Sequence, residues 1–285
     1  MADPGERERA VPVHKVTPDG IQAGDDQVAV EEPMEIRVVF GPEDGRSARS
    51  LSVTMRTPGN DFELAAGFLF TEGVLKRPTE VRKIEFCGPP APGRSTSNIV
   101  RLDLDPSVEL DLKRAERNFY TTSSCGICGK ASLDALEVPG LAHLDPSRPR
   151  VRRSLIHTLP QVLRAAQPVF HSTGGLHAAA LVDGDGGLID VREDVGRHNA
   201  VDKLLGRSFL DGGPPLSDAM MIVSGRTSFE ILQKALSAGV PLVVGVGAPS
   251  SLAVEMARRF GMTLIGFASR GRYNIYTEPG RIIEG

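Results

Sequence analysis

The chain has 285 residues, about twice the usual length of one domain, and 40% of them are hydrophobic. That is enough to bury a substantial core, and it excludes a wholly disordered chain or a staple-dependent miniprotein. Its 33 Lys and Arg against 36 Asp and Glu leave a net charge of −3, and aromatics make up 5% with no Trp. Coating of nucleic acid, which needs a basic face, and base-stacking platforms, which need aromatics, are therefore not expected.

Three cysteines are too few, and odd in number, for a secreted disulfide framework, so a reducing, cytoplasmic setting is expected. Met1 to Ala10 mixes acidic and basic residues without an apolar stretch, which predicts no signal peptide. Gly239 to Pro249 is about half of a membrane span and holds two prolines, so no membrane partner is expected.

Residues 1–30, rich in charge, Pro and Gly, read as a loosely ordered leader. Glu35 to Phe40 and Ser50 to Arg56 read as strands joined by a hairpin loop at Gly41 to Gly45. Asn60 offers an N-cap with Glu63 three positions on, and a helix ends at Gly73. Val81 to Phe86 and Asn98 to Leu104 add two strands, which makes residues 31–115 a small α+β domain.

Residues 116–285 change rhythm. Leu176 to Val182 and Leu188 to Val191 predict an antiparallel hairpin, and Ala200 to Leu205 a helix. Met220 to Val223, Leu242 to Val246 and Thr263 to Phe267 are apolar runs of strand length. Between them lie a helix opened by a Thr227 to Glu230 capping box and a second helix from Ser251 to Phe260, stopped by Gly261. Apolar strands alternating with helices imply an α/β unit with a parallel, helix-covered sheet.

Four stretches carry candidate chemistry. Ser124-Cys125-Gly126-Ile127-Cys128-Gly129 places two thiols three apart before a helical Lys130 to Leu136. A helix start favours the thiolate, and the flanking glycines give bulky partners access. Two small core residues, part of a zinc site, or thiol and persulfide chemistry all fit the pair. Core placement does not call for glycines, and no second Cys-x-x-Cys or His-x₃-His exists to complete four zinc ligands. His171 and His177 flank Gly174-Gly175, a pattern that suits either structural histidines or a polar pocket. Glu193 to Asn199 is dense in hydrogen-bonding groups and reads as a ligand loop or a solvated turn. Finally, Ser224 to Thr227, Gly247 to Ser251 and Ser269 to Arg272 follow the three apolar strands, where open α/β sheets bind ligands. Arg226, Arg270 and Arg272, with helix starts at Thr227 and Ser251, make this a phosphate-tolerant pocket, although no P-loop or G-x-G-x-x-G is present.

Together with Met55 to Gly59, Gly67 to Gly73, Thr173 to Ala179, Glu193 to Lys203, Ser224 to Glu230 and Gly271 to Thr277, these residues resemble the formate dehydrogenase accessory sulfurtransferase family, often called FdhD. The likeness runs in order from about residue 30 to 277, with Asn60 standing where the family pattern has a histidine. The resemblance implies a cytidine-deaminase-like three-layer domain beside the smaller N-terminal one. It implies a sulfur carrier that accepts sulfane sulfur from a cysteine desulfurase and passes it to the bis-molybdopterin guanine dinucleotide cofactor of formate dehydrogenase. The persulfide position falls on Cys125, with Cys128 as helper, and the guanine-dinucleotide site on Phe267, Ala268, Ser269, Arg270, Gly271 and Arg272. The cofactor is a client, no resident metal is expected, and its two nucleotides around one metal suggest a homodimer. Zinc deaminases carry H-x-E and P-C-x-x-C; here Ser124 precedes Cys125 and none of the six histidines has Glu two places on. A dithiol–disulfide oxidoreductase and a cofactor-binding chaperone without sulfur transfer are the alternatives.

Overall fold

The computed structural model describes residues 6–91, 96–110, 141–212, 216–278 and 280–284. Cys125, Cys128 and the helix expected over Lys130 to Leu136 lie outside the described residues.

Glu8 to Ala29, expected to belong to a loosely ordered leader, form a paired ribbon instead. β1 (Glu8–Thr17) and β2 (Gly20–Ala29) pair antiparallel as a ribbon in register from Glu8 against Ala29 to Thr17 against Gly20. Charged residues occupy both of its faces because both are largely exposed, and this removes the apolar alternation by which a half-buried strand is recognised.

A four-stranded sheet follows, ordered β4-β3-β6-β5 from β3 (Glu32–Phe40), β4 (Ser47–Arg56), β5 (Val81–Phe86) and β6 (Ile99–Leu104). The inward-facing Met34, Ile36, Val38, Val100, Leu102 and Leu104 are buried beneath α1 (Asp61–Thr71), which contributes Leu64, Ala65 and Leu69. Period-two burial in β6 produces this face, and each such aliphatic side chain removed from water contributes roughly 1.5–3 kcal/mol. The capping box expected at Asn60 does not form. Asn60 sits in the left-handed region at φ 58, which carries its side chain away from the helix amides. Glu63 pairs with Arg192 instead, at 3.2 Å.

The second sheet has six strands in the order β13-β12-β11-β10-β8-β9. β8 (His177–Val182) and β9 (Leu188–Asp194) form the expected antiparallel hairpin. β10 (Met220–Val223), β11 (Leu242–Gly245) and β12 (Thr263–Ser269) run parallel, and β13 (Arg272–Thr277) returns antiparallel to β12. Alternate residues of these strands enter two cores. Ala179, Leu181, Met221, Val223, Val243 and Leu264 pack with α5 (Arg197–Leu210), α6 (Phe229–Ser237) and α7 (Ser251–Phe260). Ala178, Ala180, Met220, Ile222, Leu242 and Val244 pack with Val151 of β7 (Val151–Arg152), Ile156 of α2 (Arg153–Ile156), and Leu159 and Leu163 of α3 (Leu159–Ala165). A short β14 (Ile282–Ile283) pairs with β7. The chain is thus a mixed α/β protein with several sheets. α7 follows its sequence signals closely: Ser250 accepts the Ala253 N–H at 3.2 Å, and Gly261 closes the helix at φ 68.

Candidate functional site

The parallel strands end on one side of the sheet, and their exits are joined main chain to main chain. The Val246 N–H donates to the Val223 carbonyl at 3.0 Å, Gly247 to Gly225 at 3.1 Å, and Ser250 to Thr227 at 3.0 Å. A Cβ at Gly247 would lie 2.9 Å from the Gly225 oxygen, so this close approach requires glycine. The Thr227 amide donates to Ala248 at 3.1 Å, which removes it from the set of ligand-facing donors expected there. Its hydroxyl is buried without a hydrogen-bond partner, and the helix is capped from Ser228 without a side-chain bond, so the second expected capping box is absent too.

Phe267 to Arg272 is not a loop after the last strand. It is the bulged end of β12, a turn and the first residue of β13, a strand that the sequence reading left out. The Phe267 amide donates to the Gly247 carbonyl at 3.0 Å; Phe267 has φ 53 and is 44% exposed. Ala268 is buried, whereas Ser269, Arg270, Gly271 and Arg272 are exposed. Neither Arg270 nor Arg272 forms an ion pair among the described residues. The segment therefore presents one aromatic ring and two exposed guanidinium groups beside the strand exits.

A cavity of about 460 Å³ opens beside these exits, with Ser224 and Val246 on one side and Leu163, Arg164, Gln167 and Phe170 on the other. His177 also lines it, because β8 is antiparallel to β10 and begins where β10 ends. Burial, followed by the positive charges of Arg197 and His198, pushes the His177 imidazole below its ordinary range and favours the neutral form. His171 does not join it: this ring is exposed, with Nε2 2.8 Å from the Arg164 carbonyl.

His198 faces a second cavity, of about 470 Å³, between β4 and the starts of α5 and α6. Its Nε2 lies 3.1 Å from Glu230 Oε2 and 3.3 Å from Ser228 Oγ. The hydrogen bond to His198 is the largest influence holding the Glu230 carboxyl below its usual range.

The Glu193 to Asn199 stretch is not a solvated turn. Glu193 accepts the N–H groups of Val169 and Phe170, at 3.2 and 2.8 Å, and so fixes α4 (Pro168–Thr173) along the first cavity. Asp194 is fully buried and accepts from the Thr57 amide at 3.1 Å, the Gly196 amide at 2.8 Å and Asn199 Nδ2 at 3.0 Å. Lys203 Nζ completes the group, 2.7 Å from both Asp194 Oδ2 and the Thr57 carbonyl. A parallel set joins Lys234 to Asp202 at 2.9 Å and to Glu72 at 3.3 Å. These buried charges tie the four-stranded sheet unit to the six-stranded one. Gln167 carries no motif, and sequence reasoning passed over it. Among the described residues no group of three or more His, Cys, Asp or Glu is arranged to hold a metal ion.

The model of the FdhD/NarQ family matches residues 29–283. The sulfur carrier protein FdhD of Streptomyces avermitilis is 50% identical over 259 residues, covering 90% of this chain and 89% of that protein. The protein of the same name from Mycobacterium tuberculosis is 46% identical over 279 residues, covering 95% and 96%. A solved structure of a formate dehydrogenase accessory protein from Desulfotalea psychrophila is 25% identical and aligns with a TM-score of 0.73, covering 98% of this chain and all of that one.

Proposed function

The chain belongs to the FdhD/NarQ family, and we propose that it is a sulfur carrier serving the maturation of formate dehydrogenase. Cys125 takes a sulfane sulfur from a cysteine desulfurase, holds it as a persulfide and passes it to the bis-molybdopterin guanine dinucleotide cofactor. The observation that carries this reading is the Cys125/Cys128 pair, each cysteine followed by a glycine, in a chain whose likeness to named sulfur carriers covers nine-tenths of its length. In the first step the Cys125 thiolate attacks the outer sulfur of the donor persulfide. The new S–S bond forms as the donor's S–S bond breaks, the donor leaves as a thiolate, and no external oxidant or reductant enters.

The cofactor is the substrate of the second step, and this chain's contribution is to bind it. The Phe267 ring beside the purine, and Arg270 and Arg272 toward its pyrophosphate, suit one guanine nucleotide each. Two copies of the chain, as a homodimer, serve the two nucleotides of one cofactor. On this reading residues 116–285 form a cytidine-deaminase-like three-layer domain, supported by the helices on both faces of the six-stranded sheet. Residues 31–115 form the smaller domain. The protein works in the cytoplasm; among the described residues no helix is long and apolar enough to cross a membrane.

Incubation with a desulfurase and cysteine, followed by intact-mass analysis, tests the proposal. The wild-type protein gains one sulfur atom, removable by reductant. Cys125→Ala gains none and does not support formate dehydrogenase maturation, whereas Cys87→Ala behaves as wild type. Full loading and maturation by the Cys125 variant would reject the assignment.

A further inference from the structure

Gln167 is 3% exposed, lines the 460 Å³ cavity, and its amide Nε2 has no hydrogen-bond partner among the described residues. Its backbone is fixed, since its carbonyl accepts the His171 N–H at 3.0 Å and Glu193 clamps the next turn. A buried amide donor without a partner carries its full desolvation penalty, which a ligand with a matching acceptor relieves. Around it, the Arg164 guanidinium lies 3.9 Å from the centroid of the Phe170 ring, and Leu163 and Leu176 supply apolar wall. Stacked planar groups beside apolar surface suit a flat conjugated ring. A primary amide presents an N–H donor and a carbonyl acceptor side by side, and a cyclic lactam presents the complementary acceptor and donor.

We propose that Gln167 reads the lactam edge of a planar oxo-heterocycle bound in this cavity, the edge that guanine and a pterin ring have in common. The inference rests on the reading of this chain as a carrier for a pterin guanine dinucleotide. It adds the residue that selects the ring, which lies outside the Phe267 to Arg272 segment. His177, kept neutral, offers the same ring one further donor or acceptor from the start of β8.

Calorimetry on the full chain with GDP and 1-methyl-GDP, whose lactam N–H is blocked, tests the guanine source. Pterin and 3-methylpterin, followed by their fluorescence, test the other. The expected result is that one parent compound binds about tenfold tighter than its methylated form, and that Gln167→Leu lowers the parent to the level of the methylated form without lowering the melting temperature. Preference for GDP over its methyl analogue assigns the cavity to guanine, and preference for pterin over its analogue assigns it to the pterin. Equal binding of both members of both pairs by the wild type overturns the role of Gln167 but leaves nucleotide binding in place. Absence of binding by all four compounds overturns the cavity as a ring site, and the lack of GDP binding removes the nucleotide reading with it. Should Gln167→Leu not fold, the wild-type methylation ratios decide alone.

Discussion

Gly67 of α1 and Gly206 of α5 meet where the two helices cross, and neither position has room for a side chain. A Cβ on Gly67 would fall 1.9 Å from the Asp202 carbonyl oxygen, and one on Gly206 would fall 1.9 Å from that of Glu63. This contact joins the helix that covers the four-stranded sheet to a helix of the six-stranded unit, inside one continuous core. Gly67→Ala and Gly206→Ala are each expected to cost about 3 kcal/mol, because the helices must separate to accept the methyl. Urea unfolding followed by circular dichroism measures this. A midpoint unchanged in either variant would mean that the helices slide past each other freely.

Lys203 is fully buried and forms an ion pair with Asp194, while Asp61 acts on it from farther away. Burial pushes the lysine below its ordinary range, and Asp194 acts in the opposite direction. Lys203→Met leaves Asp194 buried without its cation and is expected to destabilise the protein by about 3–5 kcal/mol. Its thermal unfolding midpoint should fall accordingly, whereas Arg207→Met, at an exposed pair with Asp211, should change stability by less than about 1 kcal/mol. Equal effects of the two substitutions would contradict the buried network.

The His177 ring is held below 6.5 by burial first and then by the charges of Arg197 and His198. Below pH 6.5 the unfolded chain takes up this proton before the folded one does. The stability conferred by neutral His177 is therefore fully present above about pH 6.5 and is lost as the pH falls toward the folded value. Titration of the ring resonances by NMR should give a midpoint under 6.5. Arg197→Met should raise that midpoint without restoring 6.5, since burial remains. A wild-type midpoint at or above 6.5 would show the ring to be solvated.

Arg270 and Arg272 are exposed and have no ion-pair partner among the described residues, so their loss breaks no ion pair there. The double substitution Arg270→Ala, Arg272→Ala should weaken GDP binding by about tenfold or more, roughly 1.4 kcal/mol per decade. Persulfide loading on Cys125 should stay intact, because loading involves the desulfurase and not the nucleotide. Unchanged GDP affinity in the folded variant would remove these residues from the nucleotide site. Loss of loading would place the two functions on a shared surface.

The parts legible in the sequence are those where one local signal coincides with burial. β10 and β11 are short apolar runs, and α7 has its cap at Ser250 and its stop at Gly261. What sequence reasoning missed follows from contacts far along the chain. Asp194 reads as part of a ligand loop or a solvated turn, and Lys203 as no more than the end of a family-like stretch, because the groups that satisfy them, the Thr57 amide and carbonyl, lie 137 and 146 residues away. The β1–β2 ribbon has no buried face to pattern its residues. Asn60 has the composition of a cap but a backbone conformation that cannot use it. Gln167 has no flanking motif, and only its enclosure without a partner singles it out.

The Lys203 hydrogen bond to Thr57 also bears on how the chain is made. Residues 146 positions apart must meet to complete it. Synthesis at about 5–20 residues per second separates their emergence by roughly 7–30 seconds. Through that interval the α1 face that later receives Gly206 has no covering helix. The nascent N-terminal unit therefore exposes apolar surface on the ribosome until α5 arrives, and that interval is when a holdase chaperone has something to hold.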